Sequence, residues 1–175
     1  MNILPDPATV AAGEVAGSPA RDLRAALGQF ATGVTVVTTL SADGEFFGLT
    51  ANSFSALSLD PPLILWSLRL GSSSLPVFRR AVRFVVNVLT DAQVPVSSLF
   101  ASSAPDKFSH VAYSLNGQGL PLLHAAAAWF DCRQVSQQTA GDHCLFIAEV
   151  ERFSVSGEAP LLFHGGAYFS LGSAI

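Results

Sequence analysis

Every residue from Val34 to Thr39 is β-branched, which commits this segment to a strand. The Asp-Gly pair in Ser41-Ala42-Asp43-Gly44 is favoured hairpin chemistry, so Glu45 to Thr50 is expected to return beside it. Further apolar runs come at short intervals: Leu63 to Leu68, Phe84 to Leu89, Trp129 to Val135, Leu145 to Val155, Leu161 to Phe163 and Ala167 to Leu171. Asp60-Pro61-Pro62 forces an extended entry into the first of these. Helices are few. Leu23, Ala26, Leu27 and Phe30 share one face of a helix from Asp22 to Phe30. Leu75 to Ala81 follows a serine-rich cap, and Val94 to Ala101 tolerates Pro95 in its first turn. Ala125 to Ala128 has helical propensity, and Ser102 to Gln118 is the least regular stretch. Many strands joined by short connections predict a mainly β fold with a few short helices, an antiparallel barrel closed fully or in part.

The chain's 175 residues suit one domain, from residue 21 to residue 175. Half of them are hydrophobic and only 13% are charged, so part of the surface is expected to be covered, most simply in a homodimer. A net charge of −4 argues against nucleic acid as a partner. The apolar runs are too short and too interrupted for a membrane-spanning helix. Residues 1–20 have neither the basic start nor the continuous apolar core of a signal peptide, so they are read as a flexible tail on a cytoplasmic protein. Cys132 and Cys144 could face each other across paired strands, but that location favours free thiols. The four histidines are scattered without close Cys/His spacing, which predicts no metal site. Gly117-Gln118-Gly119 lacks the third glycine of a dinucleotide turn, and Pro121 comes soon after it.

Between two apolar runs lies Gly48-Leu49-Thr50-Ala51-Asn52-Ser53-Phe54-Ser55-Ala56-Leu57-Ser58-Leu59-Asp60-Pro61-Pro62. Short hydroxyl and amide side chains interleaved with apolar ones suit a polar ligand held against an apolar wall. They equally suit a capped, well-satisfied turn.

This stretch resembles the flavin loop of the flavin reductase family, small split-barrel enzymes that pass hydride from NAD(P)H to FMN or FAD. Phe30-Ala31-Thr32-Gly33-Val34-Thr35-Val36-Val37-Thr38-Thr39 resembles the family's opening. Val86-Asn87-Val88-Leu89, Phe100-Ala101 and Asp106-Lys107-Phe108 resemble its middle. Gly141-Asp142-His143 with the strand after it, and Pro160 to Tyr168, resemble its end. In order and spacing these pieces cover roughly Leu23 to Leu171.

The resemblance implies an antiparallel split β-barrel, the FMN-binding split barrel, with FMN or FAD bound and NADH or NADPH as hydride donor. It gives Thr50, Ala51, Asn52 and Ser53 the flavin ring, and the region of Ser67, Arg69, Ser72, Ser73 and Ser74 the phosphate. Thr32, Gly33, Lys107, Phe108 and Tyr168 complete the flavin-binding set it implies. His143 falls near the nicotinamide and is the catalytic candidate, with Asp142 either orienting its imidazole or making the turn. His164 lies where the family often carries aromatic or basic residues. Some members have arginine at the positions of Gly165 or Ala167, and its absence here weighs against NADPH. Hydride transfer to a flavin needs positioning and exclusion of water rather than a protein nucleophile. That fits the lack of a catalytic triad. The leading expectation is a reductase that releases reduced flavin to a partner monooxygenase. The alternatives are a flavin-retaining oxidase or monooxygenase acting on a small organic substrate, and a flavin-binding module without turnover.

Overall fold

The computed structural model describes residues 20–174, and the expected tail lies outside the described residues except for Ala20. Ala20 opens a helix instead of closing the tail: α1 runs Ala20–Leu27, earlier and shorter than its apolar pattern suggested. The strands β1 (Thr32–Gly33), β2 (Thr35–Leu40) and β3 (Phe46–Ala51) come after it, with the Asp-Gly turn between the last two. Next come β4 (Ser55–Leu59), β5 (Pro62–Arg69), α2 (Leu75–Arg80), β6 (Arg83–Val88) and α3 (Val94–Ala101). The last third holds the short strands β7 (Tyr113–Leu115) and β8 (Pro121–Leu123) and the long hairpin β9 (Ala128–Ala140) and β10 (His143–Val155). The chain finishes with β11 (Leu161–His164) and β12 (Ala167–Ser170).

Seven strands form the main antiparallel sheet in the order β3-β2-β6-β9-β10-β5-β4. A smaller sheet, β1-β11-β12, stands beside it, and β7 pairs with β8. Two apolar cores result. Inside the main sheet, Trp66 stacks on Phe146 with ring centroids 4.7 Å apart and meets Phe78 and Phe84 edge-on. Outside it, Val34, Val36, Leu89, Phe100, Phe108, Leu123 and Leu161 form a second cluster beneath α3. Strand β2 supplies both, Val37 to the first and Val36 to the second, which is why its sequence shows no polar alternation. The structure thus has the split-barrel architecture.

Ser55–Leu59 is a paired edge strand, not an extended loop, and its Ser55 hydroxyl donates to the Ala56 carbonyl at 3.2 Å. Ala125 adopts φ 58, so the alanine run turns sharply before β9 and forms no helix. Cys132 pairs with Val150 and Cys144 with Thr139, so the two buried thiols do not face each other and both are free. Among the described residues no helix is long and apolar enough to cross a membrane.

Candidate functional site

The two ends of the main sheet, β3 and β4, are consecutive in the chain and joined by the corner Asn52–Phe54. Strand β4 pairs only with the first half of β5, ending at Ser55↔Leu65. One step further, the Ser53 hydroxyl donates to the Ser67 carbonyl at 2.9 Å and accepts from the Ser67 N–H at 3.0 Å. This side chain completes the ladder where the strand has stopped. Beyond it the barrel wall opens into a cleft of about 900 Å³ bounded by Gly44–Leu49, Gly71–Ser74 and Phe100–Phe108.

An aromatic wall backs the cleft. Phe108 is buried, with its ring centroid 5.4 Å from Phe46, 5.2 Å from Phe100 and 5.6 Å from Tyr113. Gly48 makes this packing possible, because a Cβ there would lie 2.6 Å from a Phe100 ring carbon. Lys107, the chain's one lysine, donates from Nζ to the Phe100 carbonyl at 3.1 Å. Burial pushes its pKa down. An ammonium has three protons, so others remain for a ligand. Opposite, Ser74 caps α2 without using its hydroxyl, and Ser72 Oγ accepts from the Ser74 N–H at 3.3 Å. Hydroxyls, backbone N–H groups and one cation against an aromatic wall suit a phosphate attached to an organic ring. Asp106, in a left-handed conformation at φ 52, and Glu45 add carboxylates to the lining.

Ser72, Ser73, Ser74, Lys107 and Phe108 therefore meet in one cleft. Thr50, Ala51, Asn52, Ser53 and Ser67 are not part of its lining, although Leu49, which precedes Thr50, is. Thr32, Gly33 and Tyr168 lie on the small sheet, where Thr32 and Tyr168 both pair with Phe163. They connect to the loop through Ser97 of α3. Its hydroxyl bonds the Tyr168 hydroxyl at 2.9 Å, and its carbonyl accepts from Thr50 Oγ1 at 2.7 Å. Thr32 Oγ1 is buried without a hydrogen-bond partner, an atom that a bound polar ligand would satisfy.

His143 and Arg69 are directly paired across β10 and β5, outside the cleft. The His143 side chain is 40% exposed, and its Nδ1 lies 2.7 Å from Asp142 Oδ1. Asp142 sits in the turn between β9 and β10 and also contacts this imidazole. The hydrogen bond to His143, then its charge, holds the Asp142 carboxyl below its usual range. His164 meets the Phe169 ring at 6.0 Å, beside a turn of two left-handed glycines, Gly165 and Gly166.

Sequence reasoning missed Ser97, Phe46 and Glu45. The serine pair Ser97-Ser98 among the apolar residues of α3 is the one local cue to Ser97. Phe46 and Glu45 look like ordinary hairpin residues until the split places them at the cleft.

The family model described as "Flavin reductase like domain" matches residues 27–172. The reductase component of flavin-dependent trigonelline monooxygenase from Acinetobacter baylyi is 43% identical over 150 residues, 86% of this chain. The chain spans about half of that relative, 48% of its length. The FMN reductase (NADH) SmoA of Agrobacterium fabrum is 40% identical over 152 residues, 87% of this chain and 86% of the relative. Among solved structures, an NADH:FAD oxidoreductase of Streptomyces globisporus, in complex with NAD and FAD fragments, superposes with a TM-score of 0.83 at 33% identity. That match covers 87% of this chain and 92% of the other. With the split barrel, the serine-and-lysine cleft and a match over nearly all the described residues in agreement, the chain belongs to the flavin reductase like domain family.

Proposed function

We propose that this protein is an NADH-dependent flavin reductase that hands reduced flavin to a partner monooxygenase, and that it works in the cytoplasm as a homodimer. The domain from residue 21 to residue 175 carries the activity. The observation that carries this reading is the cleft, which brings Ser72, Ser73, Ser74, Lys107 and Phe108 together from two distant parts of the chain. Two free buried thiols suit a reducing compartment.

Bound flavin supplies the ring that accepts hydride from reduced nicotinamide. Thr50, Ala51, Asn52 and Ser53 hold that ring, and Ser53 is fixed by its two bonds to Ser67. Ser72, Ser73 and Ser74 with the Lys107 ammonium hold the phosphate. Phe108, itself buried, positions Lys107 and keeps water from one side of the cleft. Thr32, Gly33 and Tyr168 close the ring end through Ser97. His143, oriented by Asp142 and next to Arg69, seats the nicotinamide.

Anaerobic stopped-flow mixing of NADH with the flavin-loaded protein tests the assignment. Rapid bleaching of the flavin is expected. His143→Ala should slow it about ten- to hundredfold, the loss of ~1–3 kcal/mol of transition-state stabilisation, with flavin affinity almost unchanged. Flavin that NADH does not bleach would overturn the reductase reading. A wild-type rate in the variant would return His143 to a structural role.

A further inference from the structure

We propose that a second cavity, lined in part by Ser114, Leu122, His124, Ala125, Trp129 and Ser154, binds a single-ring phenol, packed against the Trp129 indole with its hydroxyl bonded to the His124 imidazole. The cavity holds about 270 Å³ and shares no lining residue with the serine-and-lysine cleft. Strand β7 touches both. Its Tyr113 ring meets Phe108 of the cleft wall at 5.6 Å, and neighbouring Ser114 lines the second cavity.

The cavity is built around a strained turn. Among the described residues two non-glycine residues have positive φ: Asp106 at φ 52, on the lining of the cleft, and Ala125 at φ 58, on the lining of the second cavity. Aspartate tolerates this conformation, whereas in alanine the Cβ crowds the following carbonyl oxygen. Such strain persists where the surroundings over-determine it, and it clusters at ligand sites. Here Thr90 Oγ1 donates to the Ala125 carbonyl at 3.2 Å, and Gln93 Nε2 donates to the His124 carbonyl at 2.9 Å. Thr90 and Gln93 are both buried. The turn they hold sends Ala126 and Ala127 into the core and leaves His124 and Ala125 exposed on the lining.

Volume and chemistry select the ligand. A cavity of ~150 Å³ accommodates benzene, so this one suits a single ring with a substituent and is too small for a flavin or a dinucleotide. Trp129 is half-buried, and among the described residues its ring has no aromatic neighbour, which leaves its surface to a ligand ring. Of the polar side chains on the lining only Ser156 bonds other described residues. It donates to the Ala127 carbonyl at 3.2 Å and accepts from the Glu158 N–H at 3.1 Å. The lining holds no Lys, Arg, Asp or Glu, and His124 is its one titratable group. A carboxylate would therefore lose its water shell without meeting a fixed cation. A phenol hydroxyl is uncharged and both donates and accepts, which matches an imidazole with its two unlike nitrogens and the hydroxyls of Ser114 and Ser154.

Indole N–H signals in NMR test this, because the chain has two tryptophans, Trp66 inside the core and Trp129 on the cavity. Trp129→Phe assigns the two signals. Phenol should move the Trp129 signal saturably, with a Kd of about 1 mM, and leave the Trp66 signal in place. The Kd should be the same with and without FMN. Benzoate should bind at least about tenfold more weakly than phenol. His124→Ala should weaken phenol several-fold, with the unmoved Trp66 signal showing that the variant is folded. A Trp129 signal that stays put or shifts without saturating would overturn the proposal. So would benzoate binding as tightly as phenol, or unchanged phenol affinity in folded His124→Ala. Displacement of phenol by FMN would put it in the cleft instead and overturn the second site.

Discussion

At the residue scale the cleft depends on one absent atom. A Cβ at position 48 would sit 2.6 and 2.8 Å from two carbons of the Phe100 ring, which is itself 1% exposed and cannot swing away. Gly48→Ala must push α3 outward or strain the ring. The expected cost is about 1–3 kcal/mol, read from urea denaturation. Flavin affinity should fall with it, because Lys107 is bonded to the Phe100 carbonyl and moves with that residue. Unchanged stability would mean that the ring relocates freely and that the wall is softer than its packing indicates. Cys132 presents the opposite case, a reactive group made inert. Burial, then the charges of Asp131 and Glu151, push its thiol pKa far up, so thiolate is scarce at any working pH. Cys144 is only 1% exposed. A thiol reagent should find neither cysteine in the native protein and both after unfolding in guanidinium. Reaction of the native protein would show that the hairpin β9–β10 opens locally.

At the element scale, the site depends on a tether that no single element reveals. Tyr168 on β12 bonds Ser97 on α3, and Ser97 bonds Thr50 on β3, so the small sheet, the helix and the edge of the main sheet form one chain of contacts. Tyr168→Phe and Ser97→Ala should each cost roughly 0.5–1.5 kcal/mol of stability. The double variant should cost little more than either alone, because both remove the same bond. Additive losses in urea titrations would show that the two hydroxyls act independently. The Thr50 bond is expected to survive either change, since it ends on the Ser97 backbone. Local signals were readable where local chemistry decides the outcome. Val34 to Thr39 could only be a strand, Asp43-Gly44 could only turn, and Val94 to Ala101 is the helix α3 to the residue. Signals failed where a partner decides. Ser55–Leu59 has no β-branched or aromatic residue to mark it as a strand and becomes one because β5 offers a free edge. The alanines before β9 favour a helix, yet Ala125 turns because Ala126 and Ala127 are drawn into the core. The candidate site divides in the same way. Its serines, Lys107 and Phe108 stand in short motifs, whereas Ser97 and Glu45 matter only once the barrel has split beside them.

At the scale of the whole molecule, the described surface carries several large apolar side chains. Phe30 is 79% exposed, Phe153 and Val155 are each 67% exposed, and Leu59 is 94% exposed. The face of α1 that carries Leu23 and Leu27 has the amphipathic pattern of a packed helix, but no residue of α1 is buried. An apolar stripe in a helix records that something covers it and does not say what. With only 13% of the chain charged, solvation of so many apolar groups has little polar surface to offset it. A second copy of the chain would cover them most economically, since a two-fold axis buries the same patch twice. Light scattering at micromolar concentration should therefore give twice the chain mass of 18.3 kDa. The value should hold when the salt is raised to several times physiological strength, because burial of apolar area, unlike pairing of exposed charges, is not screened. A dimer that dissociates in salt would move the interface to the ionic ladder of Arg83, Glu151, Arg133 and Glu149 on β6, β9 and β10. A monomer at every salt concentration would overturn the dimer. The partner monooxygenase would then be the surface these side chains await, and mixing the two proteins should shift the reductase's elution.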